Sequence, residues 1–367
     1  MKAFRFTSGY PLPNRGIRQI AAGTFTGFKT SDHPIFSIIN RILLITFLLL
    51  ISGCAAPSKE MVKETAVRPE VSDRARISED YAVVLANSSD TYESLAEKYY
   101  GDRRLAYIIA EFNKNKSIVP DQDIVIPLKP ANPGGLYPGR YQTVTVLCYH
   151  QFSKKKTSTK ISISEEMFDQ QMAYLKQNGY NVISLNTLYN FINYKRRPPK
   201  NSVVITIDDG WKTAMTIAAP LLKKYGFKAT LFVYTALIKT KPNNVTLCWD
   251  EIKEMIDEGV IEVQSHTVSH ADLTKITKES LERELEESQR VIKENLGINA
   301  TSLAYPYGNF NTEVVEKLKK FGYESGFTVI KGSNPFFTNN FSLNRSMIFN
   351  SDDIDDFTQS LQTFRQE

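Results

Sequence analysis

Val203-Val204-Ile205 runs straight into Thr206-Ile207-Asp208-Asp209-Gly210, a β-rich apolar run that empties into a polar turn. Two later stretches repeat the pattern. Ile261-Glu262-Val263 leads to His266-Thr267-Val268-Ser269-His270, and Ser302-Leu303-Ala304 leads to Tyr305-Pro306-Tyr307-Gly308. Three strand ends therefore deliver polar groups to one place, as happens at the C-terminal ends of strands in barrels and open sheets of alternating strands and helices.

The residue types match metal-assisted hydrolysis. A catalytic zinc-like ion takes three protein ligands from His, Asp and Glu and keeps one position open for a water whose proton leaves near neutral pH. Two histidines and one carboxylate meet that need in a chain with only four histidines. His266 and His270 are four apart, so both imidazoles face one ion if the segment after Ser265 coils into a helical turn.

In this order and spacing, T-I-D-D-G, H-T-x-x-H and Y-P-Y-G resemble the polysaccharide deacetylase family, carbohydrate esterase family four, over roughly residues 143–348. The resemblance implies a distorted (β/α) barrel and removal of N-acetyl groups from N-acetylglucosamine units of a polymer. It makes Asp208 the general base, and Asp209, His266 and His270 the ligands of a divalent metal, zinc first and other divalent transition metals after it. The Tyr307 N–H would help hold the oxyanion. Spacing by itself does not choose between the two aspartates.

Two departures stand out. Family members usually carry an Arg two residues before the Pro of the third motif, where it orients the base; here that residue is Ala304. The family's acid histidine usually lies in a Leu-x-His motif near the end of the domain, yet no histidine follows His270. His150 is the candidate replacement, because it caps the strand read over 143–149. That placement is similar to the biofilm poly-N-acetylglucosamine deacetylases.

The chain of 367 residues, 42% hydrophobic and 23% charged, has ordinary globular composition and room for one large and one small domain. Its formal charge of +5 is accounted for by residues 1–53, where Lys2, Arg5, Arg15, Arg18, Lys29 and Arg41 face only Asp32. The remainder is neutral, which argues against nucleic acid as a partner. Lys154-Lys155-Lys156 and Lys195-Arg196-Arg197 read as solvated loops.

Residues 1–53 read as an export signal. The apolar run from Ile42 to Ile51 is short for a bilayer span but suits a signal-peptide core, and Ile51-Ser52-Gly53-Cys54 resembles a lipobox with Cys54 as the lipidated residue. The expected location is the bacterial cell envelope, with a lipid anchor in the membrane, facing the periplasm from the outer membrane if there are two. Cys148 and Cys248 fit small buried thiols better than a disulfide.

Residues 54–79 read as a charged tether. Residues 80–128 then give strand, helix, helix and strand, with Asp90-Thr91 as a helix N-cap, Gly101-Asp102 as a break and Ile124-Val125-Ile126-Pro127 as the closing strand. This small βααβ pattern resembles a LysM module, which implies binding to N-acetylglucosamine chains such as peptidoglycan through loops near 88–91 and 113–120. Asp121 stands where a Gly is usual, so a spacer role stays open.

Residues 129–141 are a Pro/Gly-rich linker, 142–350 the deacetylase-like domain and 351–367 a C-terminal helix or tail. Alternating signals support an α/β fold: Ser164 capping a helix that ends near Gly179, helices over 220–225 and 281–296, and a strand over 229–234. Trp211 and Trp249 fit either stacking on sugar faces or filling the core; Tyr305 joins them as a candidate substrate contact. Three functions compete: a membrane-anchored metal-dependent deacetylase, an inactive cell-wall-binding lipoprotein, and an amide or ester hydrolase of small substrates. The intact Asp208, Asp209, His266 and His270 set favours the first.

Replacing Cys54 with Ser is expected to release the protein from the membrane fraction, measured by fractionation and mass spectrometry of the N-terminus. An unlipidated, soluble wild type would remove the anchor.

Overall fold

Tyr81–Leu85 alternates outward and inward side chains, with Ala82 and Val84 buried, and strand geometry makes that alternation one wet and one dry sheet face. The computed structural model describes residues 74–366, all within one compact unit. The export signal, Cys54 and the tether up to residue 73 lie outside the described residues. The small domain comprises β1 (Ala75–Ile77), β2 (Tyr81–Leu85), α1 (Tyr92–Tyr100), α2 (Ala106–Phe112) and β3 (Asp123–Pro127). Its strands pair antiparallel in the order β1-β2-β3.

Local chemistry sets these boundaries. Thr91 Oγ1 accepts from Ser94 N at 3.0 Å and Ser94 Oγ accepts from Thr91 N at 2.9 Å, a reciprocal cap, while Gly101 ends α1 at φ 69. Asn113 then stitches the end of α2 to β3, donating to Val125 O at 2.7 Å and accepting from Val125 N at 3.0 Å. β1 occupies the end of the stretch read as tether; its residues pair with β2.

The large domain begins with β4 (Arg140–Tyr149), α3 (Glu165–Gln177), α4 (Leu185–Ile192), β5 (Ser202–Asp209), α5 (Ala219–Tyr225) and β6 (Ala229–Val233). It continues with α6 (Trp249–Asp257), β7 (Ile261–Ser265), α7 (Lys278–Leu296), β8 (Ser302–Ala304), α8 (Thr312–Lys320) and β9 (Ser325–Phe327). β10 (Ser333–Pro335), β11 (Ser346–Met347), α9 (Ile354–Ser360) and β12 (Phe364–Gln366) follow. Strands β4 to β9 lie parallel in chain order, each bonded to the next.

Parity along these strands creates two layers. Val203, Ile205, Ile207, Leu231, Val233 and Val263 pack outward with the helices, while Val144, Val146, Val204, Phe232, Ala304 and Phe327 form a second core inside the curl. One short segment closes the curl. Leu343 bridges to Phe327 of β9, and β11 runs parallel to β4, so residues 343–347 span the gap between the last and first parallel strands. The result is the expected distorted (β/α) barrel. The C-terminal residues read as a helix or tail belong to it, because β12 pairs antiparallel with β4.

Register brings the motif-bearing ends level. Tyr149 pairs with Ile207, Asp209 with Val233, Val233 with Ser265, and Ser265 with Leu303. The small domain sits at the opposite end of β5, against the residues that lead into it. Tyr107 Oη donates to Arg197 O at 2.5 Å, and Glu111 pairs with Arg197 and, at 3.7 Å, with Lys200. Arg197 is thus buried rather than solvated, unlike exposed Lys195 and Arg196 and the exposed run Lys154-Lys155-Lys156. Cys148 and Cys248 are both free and buried.

Glu111→Ala strips the buried Arg197 of its carboxylate, and removing one partner of a buried pair costs more than the pair contributes. Hydrogen exchange in the linker and in α2 is expected to rise while protection of β4 and β5 holds. Unchanged exchange at both places would mean that the ion pair does not hold the domains together.

Candidate metal and acid–base site

Asp208 continues the inward parity of Val204 and Thr206, which aims its carboxylate into the barrel and buries it. Asp209 would by the same parity face outward. Instead its backbone turns left-handed at φ 79, an uncommon conformation for a non-glycine residue. Gly210 follows at φ 112, where a Cβ would collide with the Ile238 side chain. The turn sends the two carboxylates in different directions, and their roles follow from that.

Asp208 meets Arg345. The guanidinium donates Nη1 to Oδ1 at 2.7 Å and Nη2 to Oδ2 at 2.8 Å, and donates Nε to Thr328 O at 2.9 Å. Arg345 is 0% exposed and lies in the closing segment between Leu343 and Ser346. It supplies the contact that Ala304 cannot. Burial raises the Asp208 carboxyl, but the Arg345 charge, then His266 and His150, outweigh it and hold the group well below the usual carboxylate range. Cys148 Sγ lies 3.6 Å from Asp208 Oδ2, a weak third donor. Its thiol is pushed up by burial and stays protonated.

Asp209 meets the histidines. Its Oδ1 lies 3.7 Å from His266 Nε2 and 3.8 Å from His270 Nε2, while Oδ2 accepts from Trp211 Nε1 at 2.8 Å. His266 Nδ1 is 2.7 Å from Ala304 O. A carbonyl only accepts, so the proton of the neutral ring sits on Nδ1 and the Nε2 lone pair faces Asp209 Oδ1 and, at 3.8 Å, Asp208 Oδ2. Burial pulls this imidazole down to about 4, against the opposing pull of Asp208 and Asp209, so it is neutral at pH 7. His266 Nε2 is buried without a hydrogen-bond partner. A buried orphan lone pair facing a carboxylate oxygen and a second imidazole fits a divalent cation, whose tetrahedral ligands at about 2.1 Å stand roughly 3.4 Å apart.

The two histidines do not meet through a helical turn as their spacing suggested. The segment after Ser265 is a loop in which Thr267 (φ 72) and His270 (φ 61) are both left-handed. Thr267 Oγ1 accepts from His270 N at 3.1 Å, and the rings end 4.7 Å apart at 81°.

His150 follows Tyr149 at the end of β4 and sits with Cys148 and Asp208 in a cluster whose ligand atoms lie within 4.8 Å of one another. Its Nδ1 is buried without a partner. Tyr307 is left-handed at φ 62, 63% exposed, with its ring 4.8 Å from that of His270. Two aromatic candidates need correction. Tyr305 has outward parity, is 0% exposed, stacks on Phe310 and donates to Phe341 O at 2.9 Å. Trp249 is buried in the outer core at the start of α6. Neither ring has a face free for a sugar. Trp211 contacts a candidate ligand carboxylate instead of the core.

Sequence reasoning missed Arg345, though a signal existed: it is the single charged residue between Lys331 and Asp352. It also missed Glu284, a carboxylate on the apolar face of α7 beside Leu281 and Leu285, and 3% exposed.

With this geometry in view, residues 195–326 match the family model described as "Polysaccharide deacetylase". Over those residues the chain is similar to the polysaccharide deacetylase family. It is similar to the putative polysaccharide deacetylase YxkH of Bacillus subtilis, with 30% identity over 188 residues covering 51% of this chain and 65% of that protein. The poly-beta-1,6-N-acetyl-D-glucosamine N-deacetylase of Staphylococcus aureus is 31% identical over 190 residues, 48% of this chain and 64% of the relative. The chain thus spans just under two thirds of the length of these curated relatives. Among solved structures, the Streptococcus pyogenes deacetylase PplD in complex with acetate superposes with TM-score 0.56 at 27% identity, covering 60% of this chain and 98% of that one. IcaB from Ammonifex degensii gives 0.53 at 26%, covering 60% and 96%. Both alignments concern a minority of identical residues, so the polysaccharide deacetylase fold here rests on shared architecture as much as on sequence.

Arg345→Met leaves the Asp208 carboxylate buried without its cation. Its carboxyl pKa is expected to rise, so the ionised form, and with it any activity as a base, is lost at higher pH than in the wild type. Turnover should fall on the order of a hundredfold at pH 7, and the acidic limb of the pH–rate profile should move upward. An unmoved limb would show that Arg345 does not set the charge state of Asp208.

Proposed function

We propose that the protein removes acetyl groups from N-acetylglucosamine units of an extracytoplasmic polysaccharide, with poly-β-1,6-N-acetylglucosamine the first candidate and peptidoglycan the second. The single observation that carries this reading is the unpartnered, buried Nε2 of His266 set against Asp209 and His270, beside an Asp208 fixed by Arg345. The name of the S. aureus relative supports the polymer.

Asp209, His266 and His270 would hold the cofactor, for which zinc is the first choice. When bound, such an ion polarises an acetyl carbonyl and acidifies a water. Asp208, kept ionised by Arg345, takes the proton of the attacking water as the new C–O bond forms. His150 gives a proton to the glucosamine nitrogen as the C–N bond breaks, because an unprotonated amine leaves poorly. The Tyr307 N–H donates to the oxygen that gains charge. Trp211 holds the far oxygen of Asp209, so that Oδ1 stays turned toward the histidines.

The same reading places the chain in the bacterial cell envelope, anchored through Cys54, with the small βααβ domain as a LysM-like glycan contact. Its loops 88–91 and 113–120 are left uncovered by the contact with the barrel, which uses Tyr107 and Glu111. Among the described residues no helix is long and apolar enough to cross a membrane.

Acetate release from poly-β-1,6-N-acetylglucosamine, peptidoglycan and chitin oligomers, with and without zinc, is the test. His150→Asn should bind zinc like the wild type and lose on the order of a hundredfold or more in turnover. No release from any of the three polymers with zinc present would favour an inactive glycan-binding protein, and near-wild-type turnover in the variant would point to another proton donor.

A further inference from the structure

Glu284 has no place in the chemistry above, yet it is buried in a face of α7 that is otherwise apolar or small: Leu281, Leu285, Ser288 and Ile292. Isolated carboxylates are almost never buried without strong partners. Its partners come from one place, the loop that carries both histidines. Oε2 accepts from Val268 N at 2.8 Å and Ser269 N at 2.9 Å, and Oε1 accepts from Ser269 Oγ at 2.6 Å. One turn further along α7, Ser288 Oγ lies 2.9 Å from Ser265 Oγ, which accepts from Thr267 N at 3.1 Å. Ser288 is itself braced by Tyr323 Oη at 3.1 Å.

Every residue from Thr267 to Ser269 is therefore tied by its backbone N–H, directly or through Ser265, to α7. The loop needs such ties, since Thr267 and His270 are left-handed, a conformation that costs energy for non-glycine residues unless the surroundings fix it. Nothing in the loop's own sequence forms a helix or strand to do so.

We propose that Glu284 is the positioning residue of the metal centre: its carboxylate fills the concavity made by the Val268 and Ser269 amides and so fixes the distance and angle between His266 and His270 before any ion binds. This inference rests on the reading of His266 and His270 as metal ligands. It differs from ordinary core packing because a carboxylate here fills no apolar space; it makes three charge-assisted bonds, all to Val268 and Ser269, two of the three residues between the two ligands. Partners of this kind typically change metal affinity 10–100-fold when removed.

Glu284→Gln keeps the shape, removes the charge and turns an amide N–H₂ toward donors. In the metal-free variant, exchange of the Val268 and Ser269 amides is expected to accelerate while β5 amides keep their protection. Calorimetric titration with zinc alone should show affinity weakened about tenfold or more, and excess zinc should restore most of the turnover, which no general loss of fold would allow. Zinc affinity within twofold of the wild type, with the loop amides freed, would overturn the proposal. If Glu284→Gln fails to fold, Ser269→Ala, at an exposed residue, removes one bond alone and must still weaken zinc binding, or the proposal fails. A wild type that binds no zinc would sink the metal reading instead, and the exchange measurement would still report whether Glu284 holds the loop.

Discussion

The bidentate pair between Arg345 and Asp208 is the interaction on which the site depends. Both groups are buried, so each has given up hydration worth several kcal/mol, and only a paired, hydrogen-bonded geometry offsets that. Breaking such a pair typically costs about 3–5 kcal/mol. Arg345 reaches Asp208 only because residues 343–347 close the barrel between β9 and β4. Closure of the fold and the charge state of the candidate base are thus one event. Ala304, where the family usually carries the Arg that orients the base, therefore does not leave Asp208 unheld.

Part of the backbone strain among the described residues lies where the chemistry is. Asp209, Thr267, His270 and Tyr307 are four non-glycine residues in the left-handed region, and each carries or flanks a candidate ligand or oxyanion donor. Regular strand parity would send Asp209 away from the histidines and leave His270 beyond reach. The left-handed turns re-aim these groups, and the compensating bonds come from neighbours: Trp211 to Asp209, Thr267 Oγ1 to the His270 N–H, and Glu284 to the loop between the histidines. Strain of this kind persists only where the surrounding structure over-determines it.

The two ends of the barrel carry different groups. The strand C-termini gather the polar groups, while the N-terminal end of β5 receives the small domain through Arg197, Glu111 and Tyr107.

Much of the fold was legible in the sequence because it depends on local chemistry. The caps at Thr91 and Ser164, the breaks at Gly101, Gly226 and Gly297, and the short β-rich apolar runs at 203–205 and 229–233 specify elements from neighbours a few residues away. Asp208, Asp209, His150, His266 and His270 stood out as well, since rare titratable residues at strand ends have few structural uses. Which aspartate is held by Arg345 and which reaches both histidines was decided by a backbone turn that no residue spacing encodes. Arg345, 137 positions from Asp208, and Glu284, 15 or 16 from its loop, became partners only through tertiary closure. Tyr305 and Trp249 went to the core for the same reason: which side of a strand or helix meets a second layer depends on where that layer packs, and sequence records only that a side chain can be buried.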